Sequence, residues 1–169
     1  MSLRFMSAIA AVLLLAAACE SAPDTSGTSA STGGASAGTS AMQGPRPGSQ
    51  EDLVANVGDR VFFDFDRFNI RQDQRAVLDR QAAWLKKYPE VTVTIEGHAD
   101  ERGTREYNIA LGNRRATAAK NYLVALGINP NRIQTISYGK ERPAVAGSNE
   151  QAYAQNRRAV TIVTSRPVS

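Results

Sequence analysis

Thirty consecutive residues, 21 to 50, hold almost nothing that could be buried. Ser, Gly, Thr, Ala and Pro fill 25 of these 30 places, Asp24 and Arg46 are the only charges, and no residue is aromatic. Such a stretch cannot bury enough apolar surface to offset the entropy of ordering it, so a flexible linker is expected there. A core must therefore come from residues 51 to 169, about 119 residues, a common size for one domain. Charge divides the same way. Arg4 and Arg46 balance Glu20 and Asp24, so the chain's net +4 belongs to that domain.

The segment before the linker has its own logic. Arg4 precedes an apolar run, Ala8 to Ala18, of about eleven residues. That is well short of the ~20 that span a bilayer. It reads as the hydrophobic part of a secretory signal. Three alanines then lead to the single cysteine, Cys19. One cysteine excludes an internal disulfide and any multi-cysteine metal site. Here its thiol is placed to carry a diacylglycerol thioether. Ala16-Ala17-Ala18-Cys19 resembles a bacterial lipobox, with Ala16 where Leu is more usual. The expected organisation is a lipoprotein signal peptide (1–18), a lipidated Cys19 with a flexible linker (19–50), and a folded domain (51–169). Acyl chains, at roughly 0.8 kcal/mol per buried CH₂, would hold the protein on a membrane.

Within the domain, hydrophobic periodicity alternates between strand and helix. Residues 60 to 66 read as a strand with Val61, Phe63 and Phe65 on one face. Residues 71 to 88 read as a helix with Trp84 and Tyr88 on its apolar side, ended by Pro89. Val91 to Glu96 alternates as a strand. A second helix is expected from about Thr104 to Leu126, closed by Gly127. Residues 132 to 138 and 159 to 164 read as strands, with a helix or turn at 148 to 156. The order β-α-β-α-β-(α)-β points to an α/β (α+β) two-layer sandwich.

One residue of the second helix is out of place. At 100° per residue, Leu111, Ala118, Ala119, Tyr122, Leu123 and Leu126 form one apolar arc. Arg115 falls in the middle of it, whereas Arg114 falls outside. A buried unpaired charge costs several kcal/mol, so Arg115 must meet an acid or line a site that admits an anion. The nearest acid in prospect is Asp100, in the loop that precedes the helix. Together they are either an internal salt bridge or a pair able to hold both ends of a zwitterion, and the spacing alone does not choose. His98, at the head of that loop, is expected to order it by hydrogen bonding.

The stretch Gly97-His-Ala-Asp-Glu-Arg-Gly-Thr-Arg-Glu-Tyr-Asn-Ile-Ala-Leu-Gly-Asn-Arg-Arg-Ala116 resembles the signature of the OmpA-like peptidoglycan-binding domains. Its GHADERGT and YNIALG runs are similar to those of the Tol–Pal branch of that family. Residues 61–66, 137–143 and 156–158 fit the same family, so the resemblance covers roughly residues 58 to 165. It implies non-covalent binding of the peptidoglycan stem peptide, centred on meso-diaminopimelate. Asp100 would take the ammonium and Arg115 the carboxylate. Phe65, Asp66, Arg102, Thr104 and Leu111 would line the site. It also implies TolB and other Tol proteins as partners, and a lipid-anchored place on the periplasmic side of a Gram-negative outer membrane. The role would be tethering that membrane to the wall and supporting constriction at division. The alternatives are a relative without Tol partners and, more remotely, a peptidoglycan-modifying enzyme using His98, Asp100 and Glu101. Arg105 departs from the family, which often has Pro there.

No catalytic role and no cofactor are expected. A single His rules out paired-histidine metal motifs, and no nucleophile elbow or phosphate loop is present. The Arg-Arg pairs at 114–115 and 157–158 could suggest nucleic acid, but acids are interspersed throughout and the chain carries an export signal.

Overall fold

Strand–helix alternation is what the computed structural model shows over the residues it describes, 44 to 165. The signal segment, Cys19 and the linker up to residue 43 lie outside the described residues. A short helix α1 (Gln50–Asp52) runs into a wider turn at Leu53–Val57 and is followed by β1 (Arg60–Phe62). Then come α2 (Gln72–Lys87), β2 (Thr92–His98), α3 (Arg105–Ala125), β3 (Ile133–Gly139), α4 (Glu150–Asn156) and β4 (Arg158–Ser165).

The four strands form one sheet in the order β1-β4-β2-β3. β4 runs antiparallel to both its neighbours, and β2 and β3 are parallel, joined by α3. Val93 and Ile95 of β2, Ile133 of β3 and Val61 of β1 face Leu78, Leu85, Ala116 and Leu123 of the helices in one buried core. Trp84 belongs to this core, with Tyr88 partly buried against it. The Trp84 indole N–H donates to Asp52 Oδ2 at 2.9 Å, which satisfies the ring's one polar atom.

The fold begins slightly before residue 51. The Gly48 N–H donates to Asp52 Oδ2 at 2.8 Å, and the Gln50 side chain bridges to β4 through Thr161 O and the Val163 N–H. Residues 48 to 50 thus belong to the domain and not to the linker.

A second departure matters more. The first strand stops at Phe62 and does not run to Asp66. The Phe63 and Asp64 carbonyls leave the ladder, accepting instead from Arg157 Nε (3.0 Å) and Arg115 Nη2 (3.1 Å). Phe63 stays buried, but Phe65 is turned out and is 56% exposed. The next residue, Asp66, has φ +54°, a left-handed conformation that is uncommon for a side-chain-bearing residue.

The distance from α3 to the sheet is set by two glycines. A Cβ on Gly97 would lie 1.8 Å from the Gly112 carbonyl oxygen, so helix and strand touch backbone to backbone. Gly112 is one turn before Arg115. This close approach brings the guanidinium under the loops at the ends of β1 and β2.

Candidate binding cleft

α3 starts cleanly because Thr104 caps it: its Oγ1 accepts from the Tyr107 N–H at 3.2 Å. From there Tyr107, Asn108, Leu111 and Arg115 fall on one side of the first three turns. With Phe65, Asp66, Asp100, Arg102 and Gly103 they line a cleft of about 180 Å³. Six of the seven expected lining residues are therefore together. Thr104 is not among them; it is exposed and its hydroxyl is used by the cap.

Arg115 has no exposed surface, yet no carboxylate among the described residues lies within ion-pair distance of it. The internal salt bridge to Asp100 is not made. Three backbone carbonyls hold the guanidinium instead: Arg67 O on Nε (2.8 Å), His98 O on Nη1 (2.8 Å) and Asp64 O on Nη2. A guanidinium has five N–H groups, so Nη1 and Nη2 each keep one beyond these bonds. Burial pulls the Arg115 pKa down to about 10, the Asp100 charge opposing the fall. It remains a cation near neutral pH, compensated by dipoles and not by a paired anion.

Asp100 is also buried, and two other arginines hold it. Arg102 Nη2 lies 2.7 Å from Oδ2 and Arg157 Nη1 3.3 Å from the same oxygen, while the Arg102 backbone N–H and Nε reach Oδ1 at 3.2 Å. Burial alone would raise its pKa, but these bonds outweigh it and keep the carboxyl below the usual range. Arg102 is itself stacked between two rings, 4.0 Å from the centre of Phe65 and 4.4 Å from that of Tyr153. Asp66 accepts from the Tyr107 hydroxyl, tying the β1–α2 loop to α3.

Against this geometry stand the comparisons with known proteins. The model of the OmpA family matches residues 62–157. The chain belongs to the OmpA family. Over 117 residues, 69% of this chain, it is 61% identical to the peptidoglycan-associated lipoprotein of Rhizobium meliloti, covering 66% of that protein, and 55% identical to that of Brucella melitensis, covering 70%. The crystal structure of the peptidoglycan-associated lipoprotein from Burkholderia pseudomallei superposes with TM-score 0.63 at 37% identity, covering 67% of this chain and all of that one. The C-terminal domain of Helicobacter pylori MotB has the same fold, with TM-score 0.60 at 24% identity.

Two features of this OmpA-family domain were not foreseen. Arg157 lies in the 156–158 tripeptide, which by itself implies no role for it. It joins the site's acid to the chain's other end, reaching Asp100, Glu150 Oε1 (2.7 Å) and Phe63 O. Its only sequence signal is an Arg at the start of an apolar strand. His98 is the second. Its ring is not tied into the loop by a well-formed hydrogen bond: both nitrogens are buried, the nearest carboxylate, Glu96, is 3.5 Å from Nε2, and the other close polar group is the Arg142 backbone. Burial first, and then the Arg158 and Arg142 charges, lower its pKa to about 4, so the ring is neutral. What His98 gives the site is its carbonyl oxygen. Among the described residues no group of three His, Cys, Asp or Glu side chains is placed to hold a metal ion.

Proposed function

We propose that the chain is a lipoprotein of the Gram-negative envelope that binds peptidoglycan non-covalently through this cleft. The observation that carries the reading is Arg115: a buried cation held by three carbonyls and the Phe63 ring, with no carboxylate paired to it, lining a cleft beside a buried carboxylate. Its remaining N–H groups suit a carboxylate, which a planar guanidinium can grip in two places. The side chain of meso-diaminopimelate ends in an ammonium and a carboxylate on one carbon. On this reading Arg115 takes the carboxylate and Asp100 the ammonium. Arg102 gives way at Asp100, since it is the outermost of the arginines there, with 35% of its side chain exposed. Phe65, Asp66 and Leu111 wall the ligand's stem, and Thr104 contributes by fixing where α3 begins.

The rest of the chain fits a tether. A lipidated Cys19 would anchor it in the outer membrane, and about thirty residues of linker would reach roughly 30 Å as a coil and 100 Å fully extended. TolB and other Tol proteins are the partners this reading implies, with support of envelope constriction as the role. The names of the relatives, peptidoglycan-associated lipoproteins, support the peptidoglycan association and the lipidation.

Pull-down with purified sacculi tests the site. Asp100→Ala and Arg115→Ala are expected to lose binding at a temperature where both remain folded. Retention by both would refute it. Fractionation of cells carrying Cys19→Ser tests the anchor, unchanged membrane association being the contrary result.

A further inference from the structure

Arg115 binds the carbonyls of both Asp64 and Arg67, so the loop between β1 and α2 is pinned on either side of Phe65 and Asp66. The next residue in this loop is Phe68, which is 41% exposed and faces away from the core. It borders a second cleft, of about 320 Å³, on the neighbouring stripe of α3. Asn113, Arg114, Thr117 and Asn121 are its polar lining. All four are exposed, and among the described residues none of them is engaged in a side-chain hydrogen bond or an ion pair. The Arg114 guanidinium sits 5.9 Å from the centre of the Phe68 ring, and no other cation–π contact to that ring is found among the described residues.

An aromatic ring beside two amides and a hydroxyl has the donors, acceptors and apolar platform that suit a sugar ring carrying N-acetyl and hydroxyl groups. Distance permits such an occupant. The stripe centred on Thr117 lies six residues along α3 from Leu111 in the first cleft, a rise of about 9 Å at 1.5 Å per residue, and about a third of a turn around the helix. Three linked residues of a peptide span up to about 10 Å, and the sugar joined to them extends that reach. In a stem peptide, diaminopimelate is the third residue from the glycan.

We infer that the Phe68 cleft is a second subsite, which takes the amino sugar of the glycan strand while the stem peptide's diaminopimelate occupies the Arg115 cleft. The inference rests on the peptidoglycan reading and extends it: the wall would be held by two contacts on either side of one pinned loop, and a ligand with its sugar attached would bind tighter than its free peptide.

Calorimetry on the full-length chain in detergent, with two probes, decides the matter. The probes are the disaccharide–tripeptide muropeptide and the same tripeptide without sugar. The muropeptide is expected to bind roughly tenfold tighter, about 1.4 kcal/mol. Phe68→Ala should bring its affinity down to that of the tripeptide and leave the tripeptide unchanged. If Phe68→Ala weakens both probes by disturbing the loop, the double variant Thr117→Ala/Asn121→Ala decides, since it lies wholly on α3; selective loss of the sugar's advantage is the supporting result. Equal affinity of the two probes for the unaltered chain overturns the subsite and leaves the Arg115 cleft standing. Failure of the tripeptide to bind at all refutes the peptidoglycan reading itself, and the subsite with it.

Discussion

Replacing Arg115 by Ala should cost stability as well as binding, and the cost can be worked from its contacts. The guanidinium makes three hydrogen bonds to carbonyls, at 2.8, 2.8 and 3.1 Å. A hydrogen bond to a charged group contributes about 1.5–3 kcal/mol net, so three contribute roughly 5–9. Keeping the charge buried opposes this. The fall in pKa to about 10 corresponds to about 3 kcal/mol. Truncation also leaves a void and strands three carbonyls, although water entering from the cleft can satisfy some of them. The expected loss is about 3–5 kcal/mol, or roughly 12–20 °C in Tm for a domain of this size. Urea unfolding gives the stability, and sacculus pull-down at low temperature gives the binding. Arg115→Lys keeps the charge but lacks the fork that spans three carbonyls, so it should recover less than half the lost stability and none of the binding. An Ala variant within 1 kcal/mol of the unaltered protein would refute the argument, because it would mean the carbonyl clamp does not hold the two loops.

Three further outcomes are expected. His98 titrates near 6.5 when unfolded and at about 4 when folded, so between these values the unfolded chain binds more protons and stability falls as pH drops through that window. His98→Leu should remove about 2–3 kcal/mol of the acid-side loss between pH 7 and 4, read from urea midpoints; an unaltered slope would contradict the buried neutral ring. Gly97→Ala drives a methyl into the Gly112 backbone and should destabilise by about 3 kcal/mol or more, with near-wild-type unfolding as the contrary result. Thr104→Ala should cost about 1 kcal/mol through the lost helix cap and leave sacculus binding near its original strength at a temperature where the domain is folded. A complete loss of binding would instead make Thr104 a ligand contact.

Much of the architecture was legible because the pattern that reveals an element is the one that buries it. Val91, Val93 and Ile95 alternate in sequence and all three are fully buried. α3 could be read from its apolar arc, and Arg115 stood out because it interrupts that arc. What sequence could not supply was the choice of partner. Periodicity says that a cation is buried; it is silent on carbonyls, since every residue carries one. The acid and the arginine were the visible charges, so an ion pair between them was one of two open readings. In the fold each takes other partners, Asp100 from Arg102 and Arg157, Arg115 from the backbone. The end of β1 was missed for the same reason. Val61, Phe63 and Phe65 alternate as a strand should, but two arginines distant in sequence claim the carbonyls of Phe63 and Asp64.

On the proposed reading, this arrangement lets the site be both rigid and receptive. Had Asp100 neutralised Arg115 directly, an entering zwitterion would have to break a buried ion pair, which costs several kcal/mol before any contact is gained. Carbonyls avoid that cost. They fix the guanidinium from behind, in a geometry decided by the Gly97–Gly112 contact and by the loops after β1 and β2, and leave it without a counter-ion. The buried carboxylate is handled in the opposite way: Arg157, itself buried, holds it from within, and Arg102 covers it from the solvent side. Each charge of the site thus has a permanent inner support. Only Asp100 carries a removable outer one, so the energetic cost of opening the cleft falls on the Arg102–Asp100 contact, and Arg102 is the residue whose substitution should change ligand entry more than the fold.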